Sequence, residues 1–409
     1  TQTVLASDPH FPFAPWLRTD RSPIKNNTMK LLHTADWHLG RYLHGHSLLE
    51  DQAHILAQFV FLAHEENVDA ILIAGDVYDR SVPPAEAVAL LDKVLAQLVI
   101  EHQIPVILIA GNHDSPERVA FGSKVFQAQG LHLRGTLADL TPVVLSDQHG
   151  EVAIFPLPYV EPIHARGLDG GEDVHDHQSA LAHVTAQLRQ RIQPGQRSIL
   201  VGHAFVAGGT ESDSERPLSV GGSGIVSSDT LSGFNYVALG HLHRPQRIAD
   251  NIHYSGSLLK YSFNEVSQPK SVSLVELGAD GLASIEYRTL SPRRDVRIIK
   301  GKLLDLINHP DPSLSRDDYL CAHLTDEDPV LDPMSRLREV YPNMMELQFT
   351  RDTVAAPESR SAGDHRKRQP ADIFKAFFRD MEGEEMTDGQ VKFLNETLQY
   401  LNNDNGRTV

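Results

Sequence analysis

The chain has 409 residues, a formal net charge of −17 and a single cysteine, Cys321. That length allows two or three domains with a sizeable core, the lone thiol excludes a disulfide framework and fits a reducing cytoplasm, and no apolar run approaches the roughly 18–20 residues of a membrane span. The acidic balance also excludes the broad basic footprint of a chain that grips nucleic acid unaided.

Residues 1–28 are rich in proline and polar side chains and lack the apolar core and cleavage site of a secretory signal. They read as a flexible extension, with Met29-Lys30-Leu31-Leu32 opening the first strand. From there, five motifs follow apolar runs. Asp36-Trp37-His38 comes first. Ile55, Leu56, Phe59 and Leu62 then recur at helical spacing before Ala70-Ile71-Leu72-Ile73-Ala74 leads into Gly75-Asp76. After Pro83-Pro84, Val88, Leu91, Val94, Leu95 and Leu98 predict a second helix, and Val106-Ile107-Leu108-Ile109-Ala110 leads into Gly111-Asn112-His113-Asp114. Ile199-Leu200-Val201 precedes Gly202-His203, and Gly240-His241-Leu242-His243 completes the set. Continuous aliphatic runs suit strands buried on both faces, and their alternation with helices implies a parallel sheet. Such sheets bind ligands outside the carboxyl ends of their strands, where all these residues fall.

Asp36, His38, Asp76, Asn112, His203, His241 and His243 are candidate metal ligands. If Asp76 bridges, each of two ions receives four protein bonds. Imidazole, carboxylate and amide oxygen without thiolate suit Mn²⁺, Fe or Zn²⁺ better than an all-oxygen Mg²⁺ or Ca²⁺ cage. Two ions about 3.5–4 Å apart can stabilise the attacking and leaving oxygens of an in-line displacement at phosphorus. Phosphoester hydrolysis is the expected reaction. A lone histidine at a strand end is more often packed or exposed than ligating, as His44, His46, His64, His102 and His132 illustrate; the ordered set carries the reading.

The order D-x-H, G-D, G-N-H-D, G-H, G-H-x-H resembles the calcineurin-like metallophosphoesterases. Leu32 to Gly40, Ala74 to Asp79, Ala238 to His243, Tyr254-Ser255-Gly256-Ser257 and Tyr261-Ser262-Phe263-Asn264-Glu265 are similar to the SbcD family of bacterial nuclease subunits within that superfamily. The resemblance implies an α/β fold: a β-sandwich flanked by helices, with a small α/β capping domain and a C-terminal helical pair. It implies one ion on Asp36, His38, Asp76 and His243, a second on Asp76, Asn112, His203 and His241, both most often Mn²⁺. It places His113 at the chemical step, stabilising charge at phosphorus or protonating the leaving oxygen. Asp114 either orients His113 or caps the following helix, and capping is the expected role. The implied activity is cleavage of DNA ends and hairpins within a heterotetramer of two such chains and two SbcC-type ATPase subunits.

Arg41, Tyr42, His44 and His46 form either a substrate contact or an ordinary polar loop. Residues 207–224, rich in Gly, Ser and acidic side chains, form either a gating loop or a disordered one. Strand-like segments continue to about 291, closing a nuclease domain over 29–291. Alternating strands and helices over 292–354 form the capping domain, and 355–369, nearly devoid of apolar side chains, is a linker with a basic run at His365 to Arg368. Residues 370–403 carry two amphipathic helices, Ile373, Phe374, Phe377, Phe378 and Met381 on the first, Val391, Leu394, Leu398 and Leu401 on the second, with a capping box at Thr387 and Gln390. Their apolar faces suit either the groove of a partner, which the resemblance identifies as the ATPase, or docking back on the capping domain. Two other functions stay open: a stand-alone phosphoesterase acting on nucleotides or phosphoproteins, and an adaptor for an ATPase with a vestigial metal site.

Overall fold

The aliphatic runs of the sequence lie at the centres of two six-stranded sheets in a computed structural model, which describes residues 28–215, 224–312, 314–328, 330–349, 371, 374–375, 378–379 and 385–404. In the first sheet the order is Gly281–Thr289, Ser271–Gly278, Met29–Thr34, Ala70–Ala74, Val106–Ile109, Leu131–Arg134. Its last four strands are parallel. The second sheet runs Gln246–Ala249, Ile252–Tyr254, Tyr236–Gly240, Arg197–His203, Gly150–Pro156, Val143–Asp147, with the middle four parallel and the outer two antiparallel.

Alternation along each strand explains the unbroken apolar runs. Leu31, Leu72 and Ile107 point between the sheets and meet Ile154, Ile199, Val201 and Ala238. Their neighbours Leu32, Ile71, Ile73, Val106 and Leu108 point outward against Ile55, Leu56 and Phe59 of helix Leu49–Glu65 and Val94 of helix Ala85–Ala96. On the far side, Ala180, Leu181, Val184 and Leu188 of helix His177–Arg189 cover Phe155, Leu200, Val237 and Leu239. The result is helix, sheet, sheet, helix. Val88 departs from the expected helix face and is 44% exposed.

Three parallel strands, Val296–Gly301, Tyr319–Leu324 and Met344–Phe349, make a smaller sheet. Leu303, Leu320, Ala322, Leu324, Leu337, Tyr341 and Met344 give it a core of its own. It belongs to the same compact unit as the sandwich, residues 1–350. Asp51, 1% exposed, accepts hydrogen bonds from the Tyr319 hydroxyl at 2.8 Å and from Arg294 Nη1 at 3.1 Å, fastening the small sheet to the sandwich.

Residues 351–409 form a second unit. Within it Asp388–Asp404 is a helix, and Thr387 donates its backbone N–H to Gln390 Oε1 at 2.8 Å, one arm of the expected capping box. The expected extension over 1–28, apart from Thr28, the linker over 355–369 and most of the first terminal helix lie outside the described residues. No helix among the described residues is long and apolar enough to cross a membrane.

Asp51→Ala would strip a buried acceptor from two donors, and because Arg294 is partly solvated the expected loss is about 2 kcal/mol rather than the larger cost of a fully buried pair. Tyr319→Phe keeps the ring and should cost about 1 kcal/mol. Urea denaturation of both variants checks that order, and equal midpoints for Asp51→Ala and the native chain would contradict it.

Candidate metal centre

The carboxyl ends of adjacent parallel strands bring the candidate ligands together. Asp36 and His38 follow Met29–Thr34, Asp76 follows Ala70–Ala74, and Asn112 follows Val106–Ile109 in the first sheet; His203 ends Arg197–His203, and His241 and His243 follow Tyr236–Gly240 in the second. The first two loops are stitched by Asp36 N–H to Gly75 O at 3.1 Å and His38 N–H to Asp76 O at 3.0 Å. Asp36, His38, Asp76, His203, His241 and His243 are all at most 3% exposed, while Asn112 and His113 are half-buried.

Two subsets share Asp76. On one side, His38 Nε2 lies 3.0 Å from His243 Nε2 and 3.7 Å from Asp76 Oδ2. Asp36, His38 and His243 present ligand atoms within 4.8 Å of one another. On the other side, Asn112 Oδ1 is 2.9 Å from His203 Nε2 and 3.1 Å from His241 Nδ1, and His203 Nε2 is 3.5 Å from Asp76 Oδ2. His203 Nδ1 faces the Ala74 carbonyl at 2.8 Å and donates to it. When the ring is neutral, its Nε2 lone pair is therefore turned toward two oxygen acceptors. His38 Nδ1 is buried with no hydrogen-bond partner. A cation placed at the centre would take the lone pairs that converge there from His38 Nε2, His243 Nε2, Asn112 Oδ1 and the Asp76 carboxylate, so the donor set fits divalent metal.

Backbone strain concentrates in the same place. Of eight non-glycine residues at positive φ among the described residues, four are candidate ligands: Asp36 at 54°, His38 at 44°, Asp76 at 47° and His241 at 110°. Each costs on the order of 1–3 kcal/mol, and such conformers persist only where the surroundings impose them. Two glycines make room. A Cβ on Gly111 would overlap the carboxylate of Asp76, and one on Gly240 would overlap the Ala74 carbonyl.

His113 donates its backbone N–H to Asp76 Oδ1 at 2.9 Å, and its ring Nδ1 lies 2.8 Å from the Asp79 carbonyl, to which it donates. Its Nε2 is thereby aimed at the centre, 4.0 Å from Asp76 Oδ2. Asp114 does not cap the next helix. Ser115 holds that position, while Asp114 accepts N–H groups from Gly111, Val77 and Tyr78 and so ties two ligand loops together.

Arg41 is neither a loose surface residue nor poised for substrate. Its guanidinium bonds Asp79 at 3.1 Å and the Ser214 carbonyl at 2.8 Å and lies over the Tyr261 ring. Tyr42 and His46 stay exposed, and His44 pairs with Glu346 at 3.5 Å. Four residues around His243 went unread in the sequence as functional: Ser214, Glu215, Glu265 and Lys270. Ser214 Oγ is 2.5 Å from His243 Nδ1 and also bonds Glu265, Glu215 accepts the His243 N–H at 2.6 Å, and Lys270 donates to the His243 carbonyl at 2.8 Å. The S-F-x-E signature contains Glu265, but only the fold shows what it faces.

Without metal, burial and mutual charge set the titration. Burial, with help from the charge of His203, lowers His241 to about 3, and burial lowers His243 to about 4 against the pull of Glu265. Burial likewise holds His33, in the core between the sheets, at about 3. For His203 burial is outweighed by Asp76 and Asp36, which raise it to about 9. The three lowered imidazoles contribute stability that is full above about pH 6.5 and lost on acidification, because the unfolded chain then binds more protons. His203 contributes stability that is full below pH 6.5 and lost as pH rises through about 9. Burial also raises Asp36 and lifts Asp114 and Glu215 to about 7, which withdraws stability as pH rises toward 7 and offsets part of the acid-side slope, while His38 is lowered like its neighbours. Metal-free protein in EDTA should be most stable near pH 6.5, each group changing the slope by up to about 1.4 kcal/mol per pH unit. Urea midpoints at pH 5, 6.5 and 8.5 test this, and a monotonic trend would contradict it.

Residues 29–245 match the family described as calcineurin-like phosphoesterase, and residues 292–382 the one described as type 5 capsule protein repressor C-terminal domain. The SbcD subunit of the SbcCD nuclease from Staphylococcus epidermidis is 36% identical over 375 residues, 91% of this chain and 99% of the relative. Among solved structures, a dimetal phosphatase from Danio rerio aligns at TM-score 0.38 and 15% identity, and TT1561 of Thermus thermophilus at 0.36 and 13%, each covering 64% of this chain and 99% of its own. On the strength of its motifs, its sandwich and the near full-length match to that nuclease subunit, the chain belongs to the calcineurin-like phosphoesterases and, within them, to the SbcD family.

Proposed function

We propose that this nuclease hydrolyses DNA phosphodiester bonds at ends and hairpins with two divalent ions, Mn²⁺ foremost, as the chemical subunit of an SbcC–SbcD-type complex. The observation that carries the reading is the convergence of ligand atoms on either side of Asp76, His38 Nε2 lying 3.0 Å from His243 Nε2 and Asn112 Oδ1 within 3.1 Å of His203 Nε2 and His241 Nδ1. Asp36, His38, Asp76 and His243 would hold one ion; Asp76, Asn112, His203 and His241 the other. Bound there, the ions would stabilise the attacking and leaving oxygens of an in-line displacement at phosphorus.

The chain's own part in the reaction falls to His113. Its Nδ1–H is donated to the Asp79 carbonyl, which orients the ring and leaves Nε2 facing the centre, where the doubly protonated ring would give its Nε2 proton to the leaving oxygen. Shared ATP-driven grip by a partner explains how an acidic chain works on DNA. The terminal segment 370–403 would supply that docking: helix Asp388–Asp404 leaves Phe393 72% exposed, an apolar side chain suited to a partner groove. For a second copy of this chain, Phe121, Val125 and Phe126 offer an exposed apolar surface just beyond the G-N-H-D loop. We assign 29–291 to the nuclease domain and 292–354 to a capping domain, because the small sheet has its own core. A cytoplasmic setting follows from this DNA substrate.

Cleavage of a labelled DNA hairpin in Mn²⁺, native chain beside His113→Gln, tests the proposal. Turnover should fall about 10²–10⁴-fold in the variant while both proteins bind two Mn²⁺. No cleavage by the native chain, even with its ATPase partner and ATP, would overturn it in favour of a small phosphodiester substrate or an adaptor role.

A further inference from the structure

We propose that Ser214 is a positioning residue that orients His243 for one ion of the pair, so that one metal site depends on a loop while the other is fixed by the sheets. The inference rests on the two-ion reading above. The two subsets of ligands are anchored differently. His203 is oriented by a main-chain carbonyl, that of Ala74, which belongs to a central strand and cannot move without the sheet. His243 is oriented by side chains brought from elsewhere in the chain. Its Nδ1 lies 2.5 Å from Ser214 Oγ, and its backbone N–H donates to Glu215 Oε1 at 2.6 Å. Both residues sit in the polar connection that follows strand Phe205–Val206.

The direction of the hydrogen bonds is determined. Glu265 is fully buried and its carboxylate is paired with the Lys270 ammonium at 2.6 Å, so it can only accept. Ser214 must therefore donate its Oγ–H to Glu265 and accept from His243 Nδ1–H. That fixes the tautomer of His243 and leaves the Nε2 lone pair facing the centre, 3.0 Å from His38 Nε2. Glu265 cannot do this alone. Its nearest oxygen is 3.6 Å from His243 Nδ1, beyond a hydrogen bond, and the serine hydroxyl fills that gap.

Ser214 is itself held in place. It is buried, its carbonyl accepts from Arg41 Nη2 at 2.8 Å, and Arg41 is clamped by Asp79 and Tyr261. Neighbouring Ser212 accepts from Gln268 Nε2 at 3.0 Å. The Glu265–Lys270 pair supplies an acceptor without adding net charge beside the ions. Orienting partners of this kind change metal affinity by about 10–100-fold when removed.

Titration of the full chain with Mn²⁺, followed by calorimetry and by electron paramagnetic resonance, tests the assignment. In Ser214→Ala one of the two sites should weaken about 10–100-fold with the other unchanged, and the spin-coupled signal of the ion pair should give way to that of a single Mn²⁺ at intermediate loading. Ser214→Thr, which keeps the hydroxyl, should restore both. Two native-affinity sites in Ser214→Ala would overturn the proposal, as would equal loss at both sites without rescue by threonine, which marks a merely structural role. A native chain that fails to bind two ions would instead overturn the two-metal reading on which the proposal stands.

Discussion

The carboxylate of Asp76, sealed where two sheets meet, sets the terms for the rest of the centre. A lone buried carboxylate would protonate, because the cost of stripping it of water far exceeds what one hydrogen bond returns. Here burial is overcome by the imidazoles of His203, His38 and His113, and Asp76 stays well below the usual carboxylate range. Asp36 meets the opposite fate. Burial raises it, the charge of Asp76 adds to the effect, and only His203 and the His241 N–H work against it. Two carboxylates so close, one kept charged and one driven toward neutrality, describe a pocket short of positive charge. Divalent ions reverse that balance at once.

Such a pocket has to be built from strained backbone. Asp36, His38, Asp76 and His241 take positive φ where their loops turn back within one to four residues of a strand to aim side chains inward. Rigid strands on either side make that strain tolerable: Ala70–Ala74 and Tyr236–Gly240 are buried along their whole length. Between them a Cβ at Gly240 would strike the Ala74 carbonyl, so the sheets approach more closely here than ordinary side chains permit. The carbonyl so approached is the same one that orients His203.

Much of this was legible in the sequence, and the boundary of what was not has a physical cause. Strands were readable because both faces of each are buried, which leaves an unbroken aliphatic run, and the ligand motifs were readable because they follow those runs directly. Residues that act across long separations were not. Ser214 and Glu265 meet His243 from 29 and 22 positions away, and nothing in the local pattern of a Gly- and Ser-rich connection marks a hydroxyl that will end up buried. Asp114 was misread for a related reason. An Asp two residues before a proline suits a helix cap locally, yet three unsatisfied N–H groups from Gly111, Val77 and Tyr78 compete for it once the sheet has formed, and they win. Arg41 looked like a surface cation because its partners, Asp79 and Ser214, lie on other loops.

One turn of helix joins the chemistry to the small sheet. Gln52 donates its side-chain amide to the carbonyls of Trp37 at 3.1 Å and His38 at 2.8 Å and accepts from Gly40 N–H at 3.0 Å, fixing the loop that presents Asp36 and His38. The preceding residue, Asp51, receives Tyr319 and Arg294. Both side chains are 1% exposed, and both belong to the first turn of Leu49–Glu65. Tyr261 closes the circuit, its hydroxyl donating to the Trp37 carbonyl at 2.5 Å while its ring lies beneath Arg41. A close-packed interior transmits displacement rather than absorbing it. Asp51 and Gln52, consecutive on one turn, therefore tie the small sheet and the loop that carries Asp36 and His38 to the same element of the sandwich.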